Sequence, residues 1–386
     1  MRTSIQVSLT IFFAAAVLAT GGGLMAGEAP KPAAPEPPKI VAPTAEEIKA
    51  ELAKETPAQK ALRTELEALA KAGQRIYYNA NVGEGNRSEV FVMGPDGSNV
   101  KQLTKEGGDY PHCSPDGKKV VFTSGRIPVK NPLPPELKDL PIDAKFPLFD
   151  WGKFQAWNRG KGGVIWMMNS DGTEPKPTAI GGLPHWSHDG KFLCYNVVSP
   201  PFPCQLVIMD LEKKVETCIS HPGMRNCGFP CFSPDDKYVV GSNGSAYCVQ
   251  LNAEKNAVDK LFQFDNGHPC NGELSPDGKT WVYVVDTNKC LGGWLCIRPM
   301  DYEKPGPGGA NLPLGWKDST VNYYPDFSPD GKYLVYAHAE QQTGVNSWEL
   351  KTNLELYVTR LPKCEATVRI TWNGAANQHP HWWGSK

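Results

Sequence analysis

The sequence predicts an all-β fold, a six-bladed β-propeller with four-stranded blades. The prediction rests on a repeated motif, on the pattern inside each copy and on the number of strands. Five copies of the motif and a shortened sixth follow one another along the chain. They are PHCSPDGKKVVFTS from Pro111, PHWSHDGKFLCYN from Pro184, PCFSPDDKYVVGS from Pro230, GELSPDGKTWVYV from Gly272, PDFSPDGKYLVYA from Pro325 and PHWWGSK at the end of the chain. Repeats of about 40–50 residues with strand patterning are typical of propellers and solenoids.

Each copy of the motif contains a strand, a tight turn and a second strand. In Ser-Pro-Asp-Gly, the proline presets φ at the second turn position, the aspartate can hydrogen-bond its own backbone, and the glycine accepts a positive φ. The strand that follows, such as KYLVYAH, is apolar at successive positions and not only at alternate ones. This pattern predicts burial on both faces, which the stacked blades of a propeller provide.

The strand count predicts how the ring closes. The inner strand of each blade, nearest the axis, starts near residues 111, 184, 230, 272, 325 and 380. From residue 74 the chain first supplies three strands, in RIYYNAN and the hairpin SEVFVMGPDGSNVKQLT, with no inner strand before them. We therefore expect PHWW at 380–383 to complete that first blade, so that the two ends of residues 74–386 close six blades.

Residues 1–26 have the features of a secretory signal peptide. Arg2 supplies the positive end, Leu9 to Leu18 the apolar core, and Leu24-Met25-Ala26 a small-residue cleavage site. The alternative is an uncleaved anchor, although the apolar run is shorter than the ~20 residues that span a bilayer. We expect a periplasmic or secreted protein without a transmembrane span in the mature chain.

Two further segments precede the propeller. Residues 27–43 are a Pro/Ala-rich tether. Residues 44–73 are predicted to be a short helical extension, with Thr44 and Thr56 as N-caps. This extension is expected either to bind a partner or to be a helix packed on the propeller or a spacer.

The chain has eleven cysteines, and exported proteins commonly use cysteines in disulfides. The close pairs are Cys204 with Cys218, Cys227 with Cys231, and Cys290 with Cys296. Sequence does not fix the connectivity, and an odd count leaves at least one thiol over. The alternative is that several cysteines are buried as small apolar residues.

The repeats resemble those of the TolB-type β-propeller family. In that family a P-x-W/F-S-P-D-G-K turn is followed by apolar strands and a Y-V-M-x-x-D-G-S-x-x-x-x-L-T hairpin, which VFVMGPDGSNVKQLT and VIWMMNSDGTEPKPT match. The resemblance covers residues 74–386 and implies the fold. TolB itself is a periplasmic partner of envelope proteins with an α/β domain before its propeller, where this chain has only the tether and helices. Related propellers occur in prolyl-type peptidases and oligogalacturonate lyases.

The strand topology predicts two different faces. The first-to-second and third-to-fourth connections of each blade are tight turns on one face, here called the tight-turn face. The second-to-third and fourth-to-first connections are longer and lie on the opposite, loop-rich face, where function is expected. The longest is the insertion at residues 126–162, in the first full blade. Its aromatic residues are expected either to bind a sugar or protein or to form a self-packed cap: Phe146, Phe149, Trp151, Phe154 and Trp157.

The second residue of each motif copy occupies an equivalent position at the start of an inner strand. Propeller symmetry should bring these six residues together around the axis, near its opening, or mouth, on the loop-rich face. Their side chains are of metal-ligating types that suit Zn or Mn. The alternative is an ordinary polar strand position that points between blades. We call these residues the ring: His112, His185, Cys231, Glu273, Asp326 and His381.

Function is less clearly indicated than fold. The sequence contains no G-x-S-x-G, H-E-x-x-H or C-x-x-C-H motif, and a net charge of −1 without a basic stripe argues against nucleic-acid binding. The sequence favours an exported non-catalytic propeller that binds a protein or envelope component through the loop-rich face. The alternative is a polysaccharide-binding protein or lyase that uses a metal-capable ring. No cofactor other than a possible divalent metal is expected.

Overall fold

The computed structural model describes residues 42–385, except 83–86, 125–141, 144–162, 200–201, 221–227, 243, 266–268, 287–292, 304–308, 315–319 and 340–353. The predicted signal peptide, nearly all of the tether and the aromatic residues of the insertion lie outside the described residues. In the described part of the chain, no helix is long and apolar enough to cross a membrane.

Six antiparallel sheets form the blades of the predicted propeller. From the axis outward, blade 1 consists of β25 (Asn377–Trp383), β1 (Arg75–Val82), β2 (Arg87–Met93) and β3 (Lys101–Gln102). Blade 2 consists of β4 (Asp109–Cys113), β5 (Lys119–Ser124), β7 (Val164–Asn169) and β8 (Lys176–Ile180). Blade 3 consists of β9 (Gly182–Trp186), β10 (Phe192–Ser199), β11 (Phe202–Asp210) and β12 (Val215–Cys218).

The remaining blades follow the same order. Blade 4 consists of β13 (Cys231–Phe232), β14 (Tyr238–Ser242), β15 (Ala246–Leu251) and β16 (Val258–Asp265). Blade 5 consists of β17 (Pro269–Leu274), β18 (Thr280–Asp286), β19 (Gly293–Pro299) and β20 (Ala310–Asn311). Blade 6 consists of β21 (Val321–Phe327), β22 (Tyr333–Ala339), β23 (Glu355–Arg360) and β24 (Thr367–Arg369). Six four-stranded blades confirm the predicted fold class.

The ring closes where the sequence predicted. Strand β25 pairs antiparallel with β1, and Trp382 lies opposite Ile76. One addition was not predicted: β6 (Ile142–Asp143), from the insertion of blade 2, pairs in parallel with β12 at the outer edge of blade 3. An outer strand has unpaired backbone groups along one side, so it can accept a further strand.

The repeated turn has the geometry that its sequence requires. In blade 2 the hydroxyl of Ser114 donates to Asp116 Oδ1 at 2.6 Å and accepts from the Lys119 amide at 2.9 Å. Gly117 has a φ of 72°, and a Cβ there would lie 2.1 Å from the Trp383 indole. The same Ser–Asp hydrogen bond recurs in four other blades, at Ser187, Ser233, Ser275 and Ser328.

Two departures from the repeat contact each other on the tight-turn face. His188 stands where other copies have proline, and Asp236, at a φ of 56°, stands where they have glycine. The amides of His188 and Asp189 donate to the two carboxylate oxygens of Asp236, at 2.7 and 2.9 Å. Proline has no amide hydrogen and glycine has no carboxylate, so this link between blades 3 and 4 needs both departures.

The second strands are buried on both faces, as their composition predicts. All seven residues of β22 are buried, and Leu334 and Val335, which point to opposite faces, are both 0% exposed. The apolar side chains of neighbouring blades therefore form the core between them.

The helical extension forms α1 (Ala45–Ala53) and α2 (Pro57–Lys71), capped at Thr44 and Thr56 as predicted. Leu62 and Leu66 of α2 are fully buried against blade 6. Glu65 of the same helix accepts from Tyr333 Oη at 2.8 Å and from Arg360 at 2.6 Å. Of the two alternatives for this segment, the structure favours a helix packed on the propeller.

Candidate functional site

In each of the six repeats, a residue with a left-handed backbone stands just before the proline or glycine that opens the motif. The φ values lie between 46° and 56°, although none of these residues is glycine. Such a conformation is uncommon for residues with a Cβ and is concentrated at functional sites. The six residues are Tyr110, Leu183, Phe229, Asn271, Tyr324 and His379.

This backbone conformation coincides with a break in strand pairing. In five blades the register between the inner and second strands shifts at this point, as in a β-bulge. A bulge turns the following side chain relative to a regular strand. The ring residues come two positions later, so the bulges set the direction in which they project.

The structure brings the polar ring residues together at the propeller axis. The imidazole of His112 lies between those of His185 and His381, with ring centroids 4.0 and 3.6 Å away. We call these three residues the histidine stack. Each outer imidazole has a carboxylate partner: His185 Nε2 lies 3.4 Å from Glu273 Oε1, and His381 Nδ1 lies 3.2 Å from Asp326 Oδ2.

The backbone holds both carboxylates in position. The amides of Phe327 and Trp382 donate to the two oxygens of Asp326, at 2.8 and 2.6 Å. The amide of Leu274 donates to Glu273 Oε1 at 3.1 Å. The polar groups at the axis are therefore fixed before any ligand arrives.

Burial and mutual contact shift the pKa values of the ring residues in different directions. Burial and the neighbouring imidazoles hold the pKa of His112 well below its usual value, which favours the neutral imidazole. Burial also opposes the charge of His185, but the Glu273 carboxylate outweighs it and raises the His185 pKa. The His185 imidazole in turn lowers the pKa of Glu273 against the effect of burial. Burial raises the pKa of Asp326.

The sixth ring residue, Cys231, differs from the others. It is 1% exposed, and burial together with the Glu273 charge raises the pKa of its thiol well above the usual value. A thiol held in its protonated form is a poor metal ligand and a poor nucleophile.

Two cavities meet at the ring. The one toward the loop-rich face has a volume of about 100 Å³ and is lined by the six left-handed residues. The one toward the tight-turn face has a volume of about 420 Å³, and we call it the funnel. It is lined by Trp186, His188, Phe327, Trp382, Trp383 and the turn prolines Pro115, Pro234, Pro276 and Pro329.

The axis is narrow on the loop-rich side of the ring. His379 lies between Tyr110 and Tyr324, with ring centroids 3.6 and 3.7 Å away. Its Nδ1 donates to Asn79 Oδ1 at 2.8 Å, because the Asn79 amide nitrogen donates to Ser88. The ring is therefore deeper than the mouth position that the sequence predicted, because these aromatic residues lie between it and the loop-rich face.

The remaining site predictions stay untested. In the part of the chain that the structure describes, no group of three or more His, Cys, Asp or Glu is arranged to hold a metal ion. The ring imidazoles instead contact the ring carboxylates and each other. Each predicted disulfide pair has one member, Cys204, Cys227 or Cys290, whose side chain is outside the described residues.

Sequence reasoning missed the left-handed residues and the funnel. The position before the inner-strand proline carries tyrosine, phenylalanine or histidine in four of the six copies. That preference was a usable signal for a second layer of side chains at the axis. The funnel had a signal too, in the prolines of the SPDG turns and the two tryptophans of PHWWGSK.

Comparisons with known proteins agree with this architecture. No family model matches the chain. An uncharacterised protein of Agrobacterium fabrum is 25% identical over 286 residues, which is 64% of this chain and 90% of that protein. TolB from Acinetobacter baumannii superposes with a TM-score of 0.57 at 15% identity, over 84% of this chain and 71% of TolB.

A second solved structure is similar over less of its own length. Hydrazine synthase from Kuenenia stuttgartiensis superposes with a TM-score of 0.52 at 13% identity, over 80% of this chain and 46% of the synthase chain. At these identities the likeness concerns the fold alone. The chain therefore has the fold of a TolB-like six-bladed β-propeller.

Proposed function

We propose that this chain is an exported β-propeller that binds a protein or a cell-envelope component through its loop-rich face. The observation that supports the proposal most is the closure of the ring by β25 and β1. A closed ring is a rigid scaffold, and binding residues are commonly carried on the loops of such scaffolds. In the described strands, the ends that the second-to-third and fourth-to-first connections join lie on one face of this scaffold, and the connection between β5 and β7 joins two of them.

Export is part of the same proposal and can be tested separately. We expect signal peptidase to cleave after Ala26, which leaves Gly27 as the first residue of a periplasmic or secreted protein. N-terminal sequencing of the protein from a cell fraction measures this directly. Recovery of the intact N-terminus from the cytoplasmic fraction would contradict export.

Removal of the insertion should abolish partner binding. We expect a variant with a short Gly/Ser linker in place of residues 126–162 to lose its cross-linked envelope partner while keeping the thermal stability of the ring. Trp151→Ala and Trp157→Ala should each weaken binding about tenfold or more if they are hot spots. The measurement is in-cell cross-linking followed by mass spectrometry and by titration of the identified partner.

The tight-turn face provides the control. Lys118→Ala and Lys332→Ala remove two exposed charges there and should leave the partner bound. Capture of the same partner at the same affinity after deletion of 126–162 would show that the insertion does not bind it.

A second candidate is a polysaccharide-binding protein or lyase in which the ring takes part, with or without a divalent metal. The observation in its favour is the meeting of three imidazoles and two carboxylates at the axis. His112 Nδ1 is buried and has no hydrogen-bond partner among the described residues. Imidazole nitrogen and carboxylate oxygen together suit Zn or Mn.

Elemental analysis tests the metal. If the ring binds one, protein purified without a metal-affinity tag should contain about one equivalent, and chelation should destabilise it by ~3 kcal/mol at a metal concentration of a hundred times Kd. His112→Ala combined with His185→Ala should remove the metal, whereas His188→Asn, outside the ring, should retain it. If the purified protein contains no metal and the chelator does not change its melting temperature, the ring does not bind a metal.

A further inference from the structure

We infer that the funnel on the tight-turn face binds the terminal residue of a neutral saccharide chain. The inference deepens the second candidate function, on which it rests for the ligand class, and it requires no metal. It also places this ligand site on the tight-turn face, opposite the loop-rich face that the sequence favoured.

The shape of the funnel suits the end of a chain. Its volume of about 420 Å³ lies within the ~300–1,000 Å³ typical of small-ligand sites. The ring forms its floor, and beyond the ring the stacked Tyr110, His379 and Tyr324 narrow the axis. A ligand that enters from the tight-turn face therefore ends at the floor, so only a terminal residue reaches the ring.

The walls offer apolar rings to the ligand. Four turn prolines form a collar around the opening, and Trp383 lies beside them. The Trp383 indole is held in place because its Nε1 donates to Pro115 O at 3.3 Å and its ring packs against Gly117. Rigid, flat apolar surfaces of this kind suit the C–H faces of a sugar ring.

One position of the collar is polar. His188 replaces the turn proline, its side chain is 44% exposed, and Asp236 holds its backbone. A single imidazole in an otherwise apolar collar gives the opening one hydrogen-bonding side. That asymmetry can orient a ligand that has both apolar and hydroxyl faces.

The floor presents donors and acceptors side by side. Glu273 and Asp326 accept hydrogen bonds, and His185 and His381 lie beside them. A sugar hydroxyl both donates and accepts, so it can pair with either type of group. An anionic sugar would meet two carboxylates, and a cation would have to compete with the imidazoles that already contact them. Neutral sugars are therefore the ligand class that the floor accepts best.

Saturation-transfer NMR with the purified full chain tests the site. The probes are millimolar glucose, galactose and N-acetylglucosamine and their linear tetrasaccharides, with galacturonate as the anionic comparison. We expect transfer to at least one neutral sugar, strongest at its terminal residue. Glu273→Gln and Trp383→Leu should each weaken binding about tenfold or more.

The control is a substitution that lies outside the funnel. Glu216→Gln changes a buried carboxylate in blade 3 away from the funnel and should leave binding unchanged. Transfer to none of the neutral sugars, tighter binding of galacturonate, or neutral-sugar binding that survives both funnel substitutions would each overturn the inference. Failure here would leave partner binding by residues 126–162 and metal binding by the ring unaffected, because those experiments do not use a sugar.

Discussion

Deletion of residues 379–386 is expected to abolish cooperative folding of the propeller. The deletion removes most of β25, the inner strand of blade 1, and with it the pairing that joins the two ends of the ring. Trp382 is 3% exposed, its Nε1 donates to Gln74 Oε1 at 2.8 Å, and its amide donates to Asp326. Truncation of one buried tryptophan costs ~3–5 kcal/mol. Loss of most of the strand therefore approaches the ~5–15 kcal/mol by which domains are stable.

Thermal and urea unfolding, followed by circular dichroism, measure this effect. The matched control is deletion of residues 385–386 alone, which leaves β25 intact and should keep the melting temperature within a few degrees. A synthetic peptide of residues 377–386, added to the truncated protein, should restore part of the lost stability in proportion to its concentration. An unchanged melting temperature after the longer deletion would disprove closure by β25.

The fold was predictable because its determinants are local and repeated. Each SPDG turn encodes its geometry in four consecutive residues, and the serine and aspartate contacts at Ser114 and Asp116 follow directly from them. Closure followed from counting, since three strands without an inner strand and one inner strand without partners complement each other. The fifth strand of blade 3 was not predictable, because β6 pairs with an edge far from it in sequence.

The sequence predicted which residues form the ring, but neither their depth along the axis nor their arrangement. Symmetry alone placed His112, His185 and His381 in one ring, and the structure shows them in contact. Their stacking depends on bulges produced by left-handed residues such as Tyr110. A positive φ at a non-glycine residue before proline is set by tertiary packing and is not indicated by residue type. The depth of the ring was missed for the same reason.

The positions of the two cavities also point to a different face of the propeller from the one that the sequence favoured. Sequence reasoning favoured the face with long connections, because long loops usually carry function. The larger cavity at the axis opens instead on the face made of short, rigid turns. Rigid turns such as Ser114–Gly117 position apolar rings without an entropic cost on binding. We therefore propose different ligands for the two faces, a macromolecular partner for the loop-rich face and a small molecule for the tight-turn face.

Glu216 should make the propeller less stable as pH rises. Its side chain is buried in blade 3, where it accepts from Tyr195 Oη, and burial raises its pKa from 4.5 to about 7. The folded state therefore holds this proton more tightly than the unfolded state. The contribution to the free energy of unfolding is largest below pH 4.5, falls between pH 4.5 and about 7, and is constant above that. At ~1.4 kcal/mol per pKa unit, the loss amounts to about 3 kcal/mol.

Glu216→Gln isolates this contribution from those of other groups. The glutamine keeps the shape of the protonated acid and can still accept from Tyr195, so the variant should match the wild type below pH 4.5 and exceed it by about 3 kcal/mol above pH 7. Urea unfolding at both ends of the range measures the difference.

Glu65 gives a control of opposite sign: burial opposes its charge, but Arg360 and Tyr333 outweigh burial and lower its pKa. Glu65→Gln should therefore destabilise the protein above pH 4.5 and have a smaller effect as pH falls through the lowered value. If wild type and Glu216→Gln lose stability in parallel across the range, Glu216 does not carry the proton that we assign to it.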